Sequence, residues 1–185
     1  MAKVYIFLAE GFEEVEALTT IDLLRRAGVE VVMTSIMDKK EVTGANNITV
    51  VAEKLFGDID ASDADMLILP GGQPGTTNLG NYKPLTDLLT DWNKAGKKLA
   101  AICAAPTVYG GLGFLEGKNA TCYPGCEGML TGAKTSTQRV VTDGNITTSR
   151  GIGTAISFSL ELISILVSTD KASAVAEEIV YGHTK

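Results

Sequence analysis

Short apolar runs alternate with longer amphipathic segments along the chain, which is the pattern of an α/β protein. The apolar runs predict strands at residues 3–9, 29–36, 99–102 and 120–123, a further core strand within "ASDADMLILPGG", and hairpins at 42–52 and 139–149. Apolar residues at helical spacing predict helices at 13–27, 84–95, 104–112, 152–167 and 171–181. Because helices separate most strands, we expect a mostly parallel sheet with helices on both faces.

In such sheets, ligands bind beyond the carboxyl ends of the strands, where the order of the strands reverses. Three turns follow predicted core strands and should meet at that edge: "AEGFEE", "PGGQPG" and "CAAP". No repeat, low-complexity segment or linker interrupts the chain, so we expect one domain over residues 1–185. The candidate chemistry should therefore lie where these turns converge.

Composition and charge exclude several classes of protein. The net charge is −6 and no basic run is present, so we expect neither a nucleic-acid-binding patch nor binding to anionic membranes. The apolar segments are too short to span a bilayer, and we expect a cytoplasmic protein. Three cysteines and a single histidine, His183, predict neither a disulfide framework nor a metal site.

Cys103 lies between the end of a predicted strand and the start of a helix, in "LAAICAAPT". A side chain on such a sharp turn is held at the top of the sheet and faces the positive end of the helix dipole. This placement predicts a reactive thiolate. The alternative is that Cys103 is one more small buried apolar residue, since free cysteine is among the most buried residue types.

When the first predicted helix is viewed along its axis, Glu16 lies on the apolar face, in the angular interval between Leu23 and Ala27. Burial of a carboxylate is unfavourable unless the group is paired or protonated, so the pKa of Glu16 should be raised. Protonated Glu16 could then donate a hydrogen bond to a neighbouring group. Glu13 and Glu14 have a simpler explanation, because acidic residues in a first turn complement the helix dipole.

The glycine-rich segment "LPGGQPGTTNLG" matches neither the phosphate-binding loop nor the dinucleotide fingerprint. Paired glycines after a strand can instead present backbone N–H groups, and Gly72 and Ala104 are candidates for an oxyanion hole. A tight turn that needs positive φ explains Gly71 and Gly75 equally well. His183 lies near the C-terminus and is a poor candidate for a catalytic base.

With these residues in place, the chain resembles the ThiJ/PfpI superfamily, and most closely the branch of the parkinsonism-associated protein deglycase. The resemblance rests on "GFEEVEA", "LLRRAGVEV", "LILPGGQPGTTNL", "AAICAAPT" and "TSRGIGTA", in the order and spacing of that branch. It implies a flavodoxin-like three-layer sandwich, a homodimer, Cys103 as nucleophile, Glu16 as its carboxyl partner, and Gly72 with Ala104 as backbone donors. It further implies a small reactive carbonyl or glycated substrate and no metal or nucleotide cofactor.

The chain departs from the pattern of the superfamily at three positions. Peptidase members place a histidine directly after the cysteine, where this chain has Ala104, which disfavours a peptidase. Many members of the deglycase branch have a histidine where this chain has Tyr123, and the usual proline of "SRGPG" is Ile152. We expect Glu13, Tyr123 and Ile152 to line the substrate pocket.

Two functions fit these residues. The first is a cysteine-dependent, cofactor-free enzyme of the glyoxalase or protein deglycase type, in which Cys103 adds to an aldehyde and Glu16 transfers the proton. The second is a redox sensor or stress-response chaperone in which Cys103 is oxidised to a sulfinate. In a variant of the second, Cys126 acts as a resolving thiol.

Overall fold

The computed structural model of the chain describes residues 1–182, and His183 lies outside the described residues. Within residues 1–182 the strands are β1 (Lys3–Leu8), β2 (Glu30–Ser35), β3 (Glu41–Thr43), β4 (Thr49–Val51), β5 (Lys54–Leu55), β6 (Met66–Leu69), β7 (Lys98–Ile102), β8 (Asn119–Ala120), β9 (Lys134–Thr135), β10 (Val140–Asp143) and β11 (Ile146–Ser149). The helices are α1 (Glu14–Arg26), α2 (Gly75–Asn81), α3 (Lys83–Lys94), α4 (Pro106–Gly111), α5 (Ala155–Leu166) and α6 (Thr169–Glu178).

The central sheet has the strand order β10-β11-β7-β6-β1-β2-β5. Every neighbouring pair in it is parallel except β10 with β11, which form an antiparallel hairpin at one edge. The chain runs outward from β1 to β2 and then returns to β6 on the other side of β1, so the strand order reverses there. Loops on either side of such a reversal leave a crevice at the carboxyl ends of the strands.

Helices cover both faces of this sheet. Successive strand residues point to opposite sides, and both sides carry apolar side chains that must be buried. In β1, Tyr5 and Phe7 belong to one buried cluster, together with apolar residues of α2, α3 and α4. Ile6 and Leu8 belong to the opposite cluster, together with apolar residues of α1, α5 and α6. The predicted α/β sandwich with a mostly parallel sheet is confirmed.

The sequence missed α2 and the two-residue strands β5 and β9. The α2 sequence "GTTNLGN" contains glycine and β-branched residues that disfavour a helix, and Leu79 is its one large apolar residue. Tertiary contacts form it nonetheless: Asn78 Nδ2 donates to the Glu10 carbonyl, and Leu79 is fully buried. The strand predicted at 120–123 is shorter than expected, because regular pairing with β9 ends at Ala120.

The long helix predicted at 152–167 divides into two parts. Residues Ile152–Thr154 form a 3₁₀ turn, and the α-helix begins at Ala155. No helix in the part of the chain that the structure describes combines the length and the apolar character needed to cross a membrane.

Candidate active site

The three turns predicted to converge do so, around a pocket of about 600 Å³. Glu13 and Glu16 line it from the end of the turn after β1 and the start of α1, Gly72 from the turn after β6, and Cys103 with Ala104 from the turn after β7. Gln73, Tyr123, Pro124, Cys126 and residues 150–154 supply the rest of its wall. The pocket therefore lies at the carboxyl ends of the parallel strands, as the topology requires.

Cys103 lies on a sharp bend between β7 and α4. Its φ is 65°, a left-handed conformation that non-glycine residues rarely adopt. Two backbone hydrogen bonds fix the bend: the Cys103 N–H donates to the Ser149 carbonyl at 3.0 Å, and the Cys103 carbonyl accepts from the Tyr123 N–H at 2.7 Å. A strained backbone that is held from both sides in this way is characteristic of functional sites.

Glu16 is fully buried beneath Cys103. One carboxyl oxygen, Oε2, accepts a hydrogen bond of 2.9 Å from the Gly71 N–H, whereas the buried Oε1 has no hydrogen-bond partner. Burial raises the pKa of the Glu16 carboxyl to about 7, and the charge of Glu13 adds to this, while contacts with Cys103 and Gly71 oppose it. The raised pKa predicted from the helical pattern agrees with this environment.

The environment of the sulfur differs from the expectation. Burial, together with the negative charge of Glu16, raises the pKa of the Cys103 thiol to about 12, although the N–H groups of Ala104 and Gly72 act in the opposite direction. This environment disfavours the resting thiolate expected from the helix dipole. The main reason is burial of the sulfur, and the neighbouring carboxylate also opposes a second negative charge.

Cys103 and Glu16 consequently compete for a single proton. A thiolate forms readily only when Glu16 holds that proton, so the two groups titrate as a pair. The N–H groups of Gly72 and Ala104, the predicted oxyanion-hole residues, both point to Sγ. These donors can stabilise negative charge on the sulfur or on an atom bound to it.

Gly71 and Gly75, in the turn after β6, were expected to provide positive φ, but the structure uses them differently. Neither Gly71 nor Gly75 has positive φ, whereas Gly72 does, at 89°. At Gly71 a side chain is excluded by close approach, since an added Cβ would lie 2.5 Å from Cys103 Cβ and 2.8 Å from Glu16 Oε2. No sequence pattern indicated that Gly71 is the donor that orients Glu16.

Glu13 and Glu14 have different surroundings. Glu13 caps α1 by accepting from the Val15 N–H and also lines the pocket, as expected. Glu14 is buried and accepts from the backbone and side chain of Asn46 and from the Ile48 N–H. Burial acts to raise the pKa of Glu14, but these hydrogen bonds lower it overall. The dipole explanation is incomplete, because Glu14 fixes the β3–β4 hairpin to α1.

Tyr123 and Ile152 stand at the rim of the pocket, and each is 52% exposed. The Cβ position that a side chain at Gly151 would occupy lies 3.4 Å from Tyr123 Cδ2, 3.7 Å from Glu16 Oε1 and 3.8 Å from Cys103 Sγ. The tyrosine ring, the carboxyl group and the sulfur therefore surround one point in the pocket. Gly151 keeps that point open.

Thr154 holds the pocket wall of residues 150–154 in place, a role that no sequence signal indicated. Its Oγ1 accepts from the N–H groups of Arg150 and Gly151 at 3.2 and 3.1 Å and lies 2.7 Å from Ser149 Oγ. Arg150 also lines the pocket and was likewise not predicted. The wall is thus connected directly to β11.

The remaining cysteines occupy different environments. Cys126 is half-buried and lines the pocket, whereas Cys122 is buried among apolar residues outside it. Burial raises the pKa of both thiols, that of Cys122 to about 12. Within residues 1–182, no group of three or more His, Cys, Asp or Glu side chains is placed to hold a metal ion.

Comparisons with known proteins identify relatives of this chain. Residues 2–165 match the model of the DJ-1/PfpI family. The chain is 42% identical to protein DJ-1 homolog B of Arabidopsis thaliana over 96% of its length, and it spans less than half of the Arabidopsis relatives. It is 30% identical to glutathione-independent glyoxalase DJR-1.2 of Caenorhabditis elegans, over 92% of this chain and 91% of the relative.

The fold is also that of solved structures. The structure of oxidized Toxoplasma gondii DJ-1 superposes with a TM-score of 0.94 at 35% sequence identity, and the match covers 99% of this chain and all of the other. The flavodoxin-like architecture inferred from the sequence therefore holds over the whole match. The match to the family model, which extends from Ala2 to Ile165, shows that the chain belongs to the DJ-1/PfpI family.

Proposed function

We propose that the protein is a cysteine-dependent, cofactor-free enzyme that converts α-oxoaldehydes into 2-hydroxy acids or releases their adducts. One observation carries the proposal: the unpartnered Oε1 of Glu16 and the sulfur of Cys103 lie within 4 Å of the same position beside Gly151, and both residues line the pocket. A carboxyl group with a pKa of about 7 is suited to exchange protons with a substrate near neutral pH. The related protein that is named a glutathione-independent glyoxalase supports the same reaction.

In the first step, a carbon–sulfur bond forms between Cys103 Sγ and the aldehyde carbon. The Glu16 carboxylate accepts the thiol proton as the bond forms, and the carbonyl oxygen takes up the negative charge. The N–H groups of Gly72 and Ala104 are the candidates to stabilise that oxygen. A high resting thiol pKa does not prevent this step, because the proton leaves during the attack rather than before it.

In the second step, the intermediate rearranges and is hydrolysed. Glu16 returns its proton to the oxygen and then removes the proton from the former aldehyde carbon, which gives an enediolate. The hydroxyl proton passes from the first oxygen to the second through water, and Glu16 delivers the carbon-bound proton to the adjacent carbon, so that a thioester of a 2-hydroxy acid results. Water then cleaves the carbon–sulfur bond, releasing the acid and restoring the thiol. The aldehyde carbon is oxidised and the neighbouring carbonyl carbon is reduced, so no external oxidant is required.

Protein or nucleotide adducts of the same aldehydes fit the scheme. In an aminocarbinol adduct, the amine is the leaving group and Glu16 can supply its proton. The test is release of 2-hydroxy acid from methylglyoxal by the purified protein without glutathione. D-lactate formation at a rate that is proportional to the protein concentration is expected, and its absence would contradict the proposal.

A second candidate function, redox sensing, is favoured by the hydrogen-bond donors that surround the sulfur. Peroxide converts a thiol to a sulfinic acid by transferring two oxygen atoms, and two molecules of peroxide are reduced to water. The Gly72 and Ala104 N–H groups and protonated Glu16 could each donate a hydrogen bond to the new oxygens. Half-buried Cys126 in the same pocket could instead condense with a sulfenic acid intermediate to form a disulfide.

Mild treatment with hydrogen peroxide distinguishes these outcomes. We expect the intact mass to increase by two oxygen atoms, with peptide mapping locating them on Cys103. A loss of two hydrogen atoms would instead support Cys126 as the resolving thiol. A protein that remains unmodified would exclude redox sensing by Cys103.

We also propose that the chain forms a homodimer, as the family resemblance implies, and that α1 and the β3–β4 hairpin form its interface. Four large apolar side chains are exposed there: Val15 and Leu18 on α1 and Ile48 and Val51 on the hairpin. The hydrogen bonds of Glu14 keep the two elements together, so these side chains belong to one surface. A second copy that buries this surface would remove it from water.

Replacing Leu18 with glutamate should weaken the dimer, because a charge would be buried at its interface. Light scattering coupled to size-exclusion chromatography should show twice the chain mass for the wild type and a shift toward the chain mass for Leu18→Glu. Met129→Glu is the matched control, since Met129 is an exposed apolar residue near α4, on the other face of the sheet. A wild-type protein of single chain mass would refute the dimer.

A further inference from the structure

We infer that the rim of the active-site pocket selects reactive carbonyl compounds with a large apolar substituent, aryl or branched alkyl, and that Tyr123 and Ile152 determine this specificity. The inference rests on the proposed function, because it names the class of substrate that the same pocket would take. It concerns two positions at which this chain departs from the pattern of its superfamily.

The shape of the pocket is the first argument. Its volume of about 600 Å³ lies within the range of roughly 300–1000 Å³ that is typical of sites for much larger ligands. A three-carbon dicarbonyl at Cys103 would leave most of this space filled with water. A substrate that fills the pocket must extend from the sulfur toward the rim.

The distribution of polar groups is the second argument. Groups that could hold a carbonyl oxygen lie around the sulfur: the Gly72 and Ala104 N–H groups and the unpartnered Glu16 Oε1. The polar side chains of Glu13, Gln73 and Arg150 also line the pocket, whereas Tyr123, Pro124 and Ile152 form an exposed apolar part of its wall. A bound molecule would therefore place its carbonyl group beside the sulfur and an apolar group between these apolar side chains.

The distances allow one molecule to span both regions. The Cβ position that a side chain at Gly151 would occupy lies 3.8 Å from Cys103 Sγ and 3.4 Å from Tyr123 Cδ2, so the sulfur and the tyrosine ring border the same part of the pocket wall. A substituent that extends along this wall from a carbonyl group bound at the sulfur would therefore reach the tyrosine ring. Exposed Tyr123 and Ile152 would lose contact with water when the substituent binds, which provides the driving force.

The test compares phenylglyoxal with methylglyoxal. In the wild type we expect kcat/KM to be at least about tenfold higher for phenylglyoxal, which is the scale of discrimination that one or two apolar contacts provide. In Tyr123→Ser and Ile152→Thr the ratio of the two kcat/KM values should fall severalfold, mainly through KM for phenylglyoxal. Val167→Thr, an exposed apolar residue beyond the far end of α5, should keep the wild-type ratio.

A binding measurement keeps the inference independent of turnover. Mandelate and lactate are the corresponding 2-hydroxy acids, and each can be tested for protection of Cys103 against alkylation by iodoacetamide. Mandelate should protect at an at least fivefold lower concentration than lactate in the wild type and lose this advantage in Tyr123→Ser and Ile152→Thr. Equal protection by the two acids would overturn the inference, and so would a kcat/KM ratio that the rim substitutions do not change.

Failure of the proposed function would give a different result. If neither aldehyde is turned over but mandelate still protects selectively, the apolar rim site stands and the enzymatic reaction is refuted. If methylglyoxal is turned over with no preference for phenylglyoxal, the reaction stands and the rim has no role in selection.

Discussion

Cys103→Ser is expected to lower kcat/KM for α-oxoaldehydes at least about a thousandfold. The serine hydroxyl is a weaker nucleophile than the thiol, and its proton is harder to remove by a carboxylate with a pKa of about 7. The substitution retains the size and the backbone of the bend, so the loss should occur with little change in fold. Rates of 2-hydroxy acid release, together with circular dichroism spectra, would measure both quantities.

Cys122→Ala is the control for removing a thiol. Cys122 is buried outside the pocket, so this variant should retain catalytic activity even if its stability decreases. Turnover by folded Cys103→Ser at the wild-type rate would show that the sulfur is not the nucleophile. The proposed reaction would then have to be abandoned.

Glu16→Gln is expected to lower kcat/KM about a hundredfold or more, which is the usual contribution of a general acid–base group. The amide can still accept from the Gly71 N–H but cannot take the thiol proton. In the wild type, activity should rise with pH through about 7, because the reacting form requires the carboxylate. This part of the pH–rate profile should be missing in Glu16→Gln.

The same substitution at Glu13 is a matched control. Glu13 is a carboxylate one helical turn away, and its charge raises the pKa of Glu16. In Glu13→Gln the pH-dependent rise should therefore persist and move to slightly lower pH. Retention of the rise near pH 7 in Glu16→Gln would show that another group is the base.

Glu16→Gln should also change how stability depends on pH. The folded-state pKa of about 7 exceeds the usual value of 4.5, which means that the folded protein favours protonated Glu16. The resulting contribution to stability is complete below pH 4.5 and is lost as the pH rises to about 7. The free-energy difference is about 3 kcal/mol. From pH 5 to pH 8, the unfolding free energy of Glu16→Gln in urea should therefore rise relative to that of the wild type.

An unchanged difference between the two proteins over that pH range would contradict the raised pKa. The stability measurement is independent of catalysis, so it tests the burial of Glu16 even if no substrate is turned over. Together, the two measurements separate the environment of the carboxyl group from its chemical role.

The amino-acid sequence by itself determined the alternation of strands and helices, because burial on both faces of a parallel sheet requires continuous apolar runs. It also placed Cys103 on a bend and Glu16 on an apolar helix face, since both follow from local spacing. Helix α2 could not be predicted in this way. Its residues have weak helical propensity, and contacts with distant parts of the chain form it.

Tertiary structure alone decided the properties that depend on neighbours distant in sequence. The local pattern at Cys103 indicated a thiolate, but the carboxylate of Glu16 and burial raise the thiol pKa instead. The role of Gly71 depends on a contact between distant parts of the chain, because its N–H donates to the carboxyl group of Glu16, 55 residues away in sequence. Sequence spacing determines which face of an element a side chain occupies, whereas the charges, donors and free volume around it depend on how the elements pack.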